Sequence, residues 1–281
     1  MESPRLRFLA KFILAFLVTV FSGCASSSTT TPQNINESWL DDVIFSIIAD
    51  KAEINKGVIF DTGSSYDPFP YVCSVFSCEE RLVGSGVLVS KSVVITSAHC
   101  NVVPLGYVSF DGGITLLEIK DSLNHHNFSM GFFSSPESDI GLLFLEAPVD
   151  GITPISLSTK HLDPRKNRGM KMVAIGFGEG IKSFTVGSSC WYYGTMEGGD
   201  TLMWEGSVTH AEFGDSGGAV IRFNYDGSPS LCGIISSMLM SKKGTVIHSS
   251  ATRIDLYCKW ISENIDNNEN TTGKNKQEDK S

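Results

Sequence analysis

From about residue 70 to residue 254 the chain is a succession of short apolar, β-branched runs separated by Gly, Asp and Ser turn residues. Val87-Leu88-Val89, Val93-Val94-Ile95 and Ile140 to Leu145 are examples. Branched side chains pack well on a pleated surface and turn residues reverse the chain, so the pattern predicts an all-β core. Only Leu256 to Ile265 reads as a helix, with Trp260 and Ile261 on its buried side. No repeat at a solenoid or propeller period is visible. The 281 residues carry a prior of about two domains. Setting aside a leader and two polar tails leaves roughly 205 residues, enough for one unit of two packed antiparallel barrels.

Three segments carry chemistry. Gly214-Asp215-Ser216-Gly217-Gly218 offers a hydroxyl within flexible backbone, where glycines adopt conformations closed to other residues. The N–H groups of Gly214 and Ser216 can stabilise an oxyanion if a base activates the serine. A base stands upstream. His99 follows the strand-like run ending at Thr96, a rigid support for an imidazole. A carboxylate, Asp139, lies immediately before the apolar run Ile140-Gly141-Leu142-Leu143-Phe144-Leu145. Each has a structural use as a turn or core residue; their joint occurrence points to nucleophilic catalysis.

Thr96-Ser97-Ala98-His99-Cys100, Asp139-Ile140-Gly141-Leu142-Leu143 and Gly214 to Gly218 together resemble the motifs of chymotrypsin/trypsin-like serine proteases of the S1 type. The order His, Asp, Ser is also that family's. Ile175-Gly176-Phe177-Gly178 resembles its Gly-Trp-Gly turn between barrels. Gly233-Ile234-Ile235-Ser236 resembles the stretch whose serine backs the catalytic aspartate. The similarity spans residues 58–262. It implies two packed antiparallel six-stranded β-barrels with a short C-terminal helix. Ser216 would attack the scissile carbonyl, His99 would move its proton, and Asp139 would hold the imidazole tautomer. Protein or peptide substrates follow, with no metal or organic cofactor. No CxxC or clustered Cys/His spacing marks a metal site either. Two other readings stay open: a catalytically silent homologue that binds peptides or envelope proteins, and acyl transfer on esters by the same triad.

The resemblance also exposes departures. Asp215 would receive the amino terminus created by activation, but the corresponding segment, Val58-Ile59-Phe60-Asp61, fits only in its first two residues, and Lys56 lies one residue too early for a cut to free Val58. The specificity pocket would be formed by His210, Ser236, Met238 and Ser249. His210 stands where Asp selects Lys or Arg, Met238 replaces a wall glycine and Ser237 a Trp. Preference for basic side chains is therefore not expected; a narrow pocket for small or apolar side chains is, with an acidic preference through His210 as the rival.

The chain begins with Arg5, Arg7 and Lys11 before an apolar run from Phe12 to Phe21. That is a signal-peptide pattern, far shorter than the ~20 residues needed to cross a bilayer. Ser22-Gly23-Cys24-Ala25 resembles a bacterial lipobox, so residues 1–23 read as a lipoprotein signal and Cys24 as the lipidation site, anchoring the chain to the outer membrane. The alternative is plain secretion. Residues 24–56 read as a polar tether and possible propeptide, 57–265 as the protease domain, and 266–281 as a disordered polar tail. A net charge of −9 without a basic stripe argues against nucleic-acid binding, and a monomer is expected. With an exported location, the cysteines other than Cys24 are expected to form disulfides. In the family Cys100 pairs with a residue at the position of Gly84, so Cys73 or Cys78 is expected to substitute; Cys190, Cys232 and Cys258 match no family cysteine.

Overall fold

The computed structural model describes residues 67–130, 138–162, 171–190, 201–206, 211–224, 226–240 and 246–278, all within the unit Leu40–Ser281. Its first half is a closed barrel of β1 (Val72–Ser77), β2 (Leu82–Ser90), β3 (Val93–Thr96), β4 (Leu105–Ser109), β5 (Leu117–Asn124) and β6 (Gly141–Leu145) in the order β1-β2-β3-β6-β5-β4. The patterning explains where each strand sits. Every residue of β3 and β6 is buried, as their unbroken apolar runs require. In β5, Leu117 and Ile119 are half-buried while Glu118 and Lys120 are exposed, a period-2 alternation with one face to water. Side chains such as Val87, Ile95, Val108 and Leu143 fill the interior, each stabilising the fold by about 1.5–3 kcal/mol.

A short strand, β7 (Ser156–Leu157), leads into the second half: β8 (Lys171–Gly176), β9 (Ser183–Cys190), β10 (Thr201–Gly206), β11 (Ala219–Phe223), β12 (Pro229–Met240) and β13 (Val246–Arg253). The run β11-β8-β9-β10-β13-β12 is joined at its ends, because β11 pairs with both β8 and β12. β7 adds in parallel alongside β12. The expected two antiparallel six-stranded arrangements are thus present.

The single α-helix among the described residues, α1, runs Cys258–Glu278. Ile261 is fully buried and Trp260 packs its ring against His125 at 5.0 Å, as expected for its inner face. The helix extends well past Ile265, through residues 266–278, where the sequence predicts a disordered tail. Its first turns are tied to the core through Tyr257, Ile261 and Ile265. Once a turn is nucleated, each further residue adds one backbone hydrogen bond, which polar residues also supply. This helix is not long and apolar enough to cross a membrane.

Disulfides are the main correction. Cys73, Cys78, Cys100, Cys232 and Cys258 are free thiols; Cys24 and the side chain of Cys190 lie outside the described residues. Cys100 Sγ does face Gly84: a Cβ built there would lie 2.8 Å from the sulfur and 2.7 Å from Ser216 O. The partner position of the family is therefore reached in space, and a glycine occupies it. Cys73 points instead at Gly86 inside the barrel, and burial pushes its thiol up to about 12. Cys78 is exposed and donates to Leu105 O at 3.3 Å. Cys232 donates to Val220 O at 3.2 Å within the second sheet, and burial also pushes it up to about 12. The buried thiols of Cys73 and Cys232 therefore stay protonated.

Candidate active site

Strand register brings the first two site residues together. β3 and β6 are antiparallel with Thr96 opposite Gly141. The chain leaving β3 therefore meets the chain entering β6, and His99, in a 3₁₀ turn at Ala98–Val102, lands beside Asp139. His99 Nδ1 is 2.7 Å from Asp139 Oδ2, and the His99 backbone N–H donates to Oδ1 at 2.9 Å. Ser236 Oγ donates to Oδ2 at 2.5 Å, and Thr252 Oγ1 donates to the Asp139 carbonyl at 3.0 Å. Asp139 is completely buried, while the His99 side chain keeps 24% of its surface.

Burial opposes charge on the imidazole, but the hydrogen bond and negative charge of Asp139 outweigh it, with the neighbouring Cys100 adding to the effect. The folded-state pKa of His99 is therefore raised above its ordinary 6.5. The protonated pair stabilises the fold fully below the unfolded-state value and loses that contribution as pH rises through the raised one. Catalytically the same shift means that a base form of His99 develops only above the usual histidine range.

The segment Gly214–Gly218 belongs to the second half and is held against the first. Ser216 O accepts from Ser85 N at 2.7 Å and faces Cys100 Sγ at 3.7 Å, one residue from His99. Gly217 N donates to Ile235 O at 2.7 Å and Gly218 N to Asp215 O at 2.8 Å. Two of the glycines are required by conformation, with φ of 104° at Gly214 and 85° at Gly217. A Cβ at Gly217 would also overlap Ser85 O and Thr96 Oγ1. Strain and overlap each cost about 1–3 kcal/mol, so Gly217→Ala is expected to lower stability by about 3 kcal/mol or more, read as a shifted urea midpoint.

The N–H groups of Gly214 and Ser216 donate to no acceptor among the described residues, whereas those between and after them are taken: Asp215 N by Glu212 O and Gly217 N by Ile235 O. Two unoccupied donors thus flank Asp215, the arrangement an oxyanion needs. No hydrogen bond joins Ser216 Oγ to His99 among the described residues. The Asp–His half of the network is closed and the His–Ser half is open, a bond that commonly tightens only when substrate is bound.

Asp215 is 8% exposed. Its Oδ1 accepts from Gly178 N at 2.7 Å and its Oδ2 from Glu212 N at 2.8 Å. Burial raises its pKa; these two hydrogen bonds act against that, and the charge of Glu212 acts with it. No cationic side chain pairs with it among the described residues. A small cavity beside it is lined by Ala174, Phe184, Ala211 and Ile235. Residues 56–61, from which the pairing amine was expected, lie outside the described residues, as does Cys24.

The pocket residues fare unevenly. His210 and the side chain of Met238 lie outside the described residues. Ser236 turns its hydroxyl to Asp139 behind the histidine, the position that the family likeness implied for it. Ser249 is buried opposite Met238 across β12 and β13, and its Oγ accepts from Ala211 N at 3.1 Å. It is thereby bonded to the segment that leads to Ser216. Sequence reasoning missed Ser85, Ser97 and Thr252, the hydroxyls that join the two halves around the site; Ser97 Oγ donates to Ile235 O at 2.6 Å. Their signal was only a hydroxyl within or beside a strand run.

A family profile described as Trypsin matches residues 62–261. No curated protein matches the sequence significantly. Among solved structures, kallikrein-related peptidase 10 in complex with Zn²⁺ superposes with a TM-score of 0.58 at 22% identity, covering 71% of this chain and 97% of that one. Neuropsin, a serine protease expressed in the limbic system of mouse brain, gives a TM-score of 0.58 at 22% identity, over 70% and 95% of the two chains. These likenesses establish a chymotrypsin-like fold.

Proposed function

The chain belongs to the trypsin family, and we propose that it is a serine endopeptidase working through Ser216, His99 and Asp139. The observation that carries this reading is the buried Asp139 carboxylate, which accepts from the His99 ring, the His99 backbone and Ser236 at once. Such a set of donors serves to fix one imidazole tautomer with Nε2 free to accept a proton. In the reaction the Ser216 oxygen bonds to the scissile carbonyl carbon as its proton passes to His99 Nε2. The carbonyl oxygen takes negative charge against Gly214 and Ser216 N–H. His99 then returns the proton to the leaving amine, and water repeats the sequence to release the acid.

We place the substrate preference with small or apolar side chains. The support is the sequence, with His210 where an acidic residue would select Lys or Arg and Met238 in place of a wall glycine; the hydroxyl of Ser249 is engaged by Ala211. Asp215 serves in this proposal as receptor of a processed amino terminus, and Cys24 as a lipid anchor on an exported chain. A second reading, a peptide-binding homologue without turnover, is favoured by one observation: Ser216 Oγ makes no hydrogen bond to His99 in the resting structure.

A panel of chromogenic peptides separates these. Cleavage of peptides with small or apolar side chains before the scissile bond is expected at least about tenfold faster, in kcat/KM, than of Lys or Arg peptides. Faster cleavage of the basic peptides contradicts the pocket assignment. Peptide binding without any turnover by the processed protein supports the second reading.

A further inference from the structure

Ser85 lies in the middle of β2 and is completely buried, yet all its polar atoms reach beyond its own strand. Its N–H donates to Ser216 O at 2.7 Å and its carbonyl accepts from Thr96 Oγ1 at 2.7 Å. Its hydroxyl donates to Gly214 O at 2.7 Å and accepts from Phe177 N at 2.9 Å. Because the Phe177 N–H occupies a lone pair of Oγ, the hydroxyl proton is directed to Gly214 O, and the two bonds reinforce each other.

The consequence lies in the backbone between the held atoms. Ser85 grips the carbonyls on both sides of the Asp215–Ser216 peptide, Gly214 O by its hydroxyl and Ser216 O by its amide. That peptide carries one free oxyanion donor, Ser216 N–H; Gly214 N–H is the other. The two donor peptides have holds of their own, Glu179 N–H on Phe213 O at 3.0 Å and Gly218 N–H on Asp215 O at 2.8 Å. The link between them runs through Gly214, which at φ 104° has the widest choice of conformations, so the angle of one donor to the other depends on the Ser85 hold on Gly214 O. The geometry points to Ser85 as a positioning residue, a hydroxyl of the first barrel that orients the oxyanion donors of the second half. This rests on the endopeptidase reading above.

The test compares the wild type with Ser85→Ala and with a matched control, Ser109→Ala. Ser109 is likewise fully buried in the first barrel, and its Oγ donates to Asp111 Oδ1 at 2.7 Å and accepts from Gly113 N at 2.7 Å. With a peptide amide that the wild type cleaves, Ser85→Ala is expected to lower kcat by about tenfold to a hundredfold. That is below the 10²–10³ for outright loss of a donor, because the donors are tilted and not removed. KM is expected to stay within about twofold, and a peptide boronate, whose tetrahedral adduct uses the same donors, to bind weaker by about the same factor as kcat. Ser109→Ala is expected to melt earlier to a similar degree and keep wild-type kcat. Amide hydrogen exchange over residues 212–217 is expected to quicken about tenfold in Ser85→Ala and not in Ser109→Ala.

Wild-type kcat in Ser85→Ala, or an equal fall in Ser109→Ala, overturns the proposal. Unchanged exchange over 212–217 overturns it even if no peptide is cleaved, whereas a wild type inert to both peptide and boronate contradicts the endopeptidase reading by itself. If Ser85→Ala does not fold, Ser85→Cys keeps the side-chain size with a weaker donor. It carries the same comparison, an intermediate loss of kcat supporting the assignment and none overturning it.

Discussion

Replacing Ser216 with alanine is expected to lower kcat by about a million-fold, while peptide binding and the melting midpoint change little. The physical basis is the division of labour in the site. In the proposed mechanism Ser216 Oγ is the atom that attacks the substrate, while the Ser216 carbonyl and the Gly217 amide are held by Ser85 and Ile235 through the backbone, not through the side chain. Oγ makes no hydrogen bond among the described residues, so its removal leaves no buried partner unsatisfied. What remains is the pair of free N–H donors and the binding surface, which still accelerate hydrolysis over water by about 10³–10⁴. Because the triad acts as a unit, adding His99→Ala to Ser216→Ala is expected to cost almost nothing more. Single-turnover rates on an activated peptide ester measure both effects. A fall of less than about a hundredfold in Ser216→Ala would remove the serine from the nucleophile's place.

Asp139→Asn carries the second largest effect, about 10⁴ in kcat. The wild-type carboxylate accepts three hydrogen bonds, and asparagine has one carbonyl oxygen to replace two. If that oxygen keeps the His99 backbone N–H, the amide NH₂ faces the ring. Nδ1 must then accept, Nε2 carries the proton, and the base that Ser216 needs is lost. The charge disappears as well. Asp139 raises the His99 pKa against burial, so its neutralisation lowers that pKa and moves the acid limb of residual kcat/KM to lower pH. The stability that the protonated pair adds at low pH is expected to vanish in parallel. Titration of the His99 ring by NMR checks the shift directly; an unchanged pKa in the variant would contradict the role assigned to Asp139.

The arrangement of His99 and Asp139 was legible in sequence because it depends on strand ends. Two apolar runs pair, and the residues just beyond their ends meet. The glycines of 214–218 were legible for a similar reason, since a conformation that excludes side chains leaves its mark on the residue type. Contacts set by side-chain direction were not. Ser85 and Gly214 are 129 residues apart, and nothing in a Gly-Ser-Gly stretch announces which way its hydroxyl points. Ser236 is the exception: its likeness to the family stretch led to the expectation that it backs the aspartate, and its hydroxyl does donate to Asp139. Disulfide pairing failed because spacing along the chain does not reveal what faces each sulfur; Cys100 meets a glycine. The helix beyond Ile265 was hidden since polar composition reports the lack of a core, not the propagation of a turn already anchored.

In the proposed mechanism His99 activates Ser216 as a nucleophile. Mass spectrometry of the processed protein after exposure to a fluorophosphonate tests it most directly, with Ser216→Ala and Asp139→Asn beside it. One adduct is expected on the wild type, located at Ser216, with none on Ser216→Ala and greatly slowed labelling of Asp139→Asn. An unlabelled wild type, or an adduct that persists in Ser216→Ala, would contradict it.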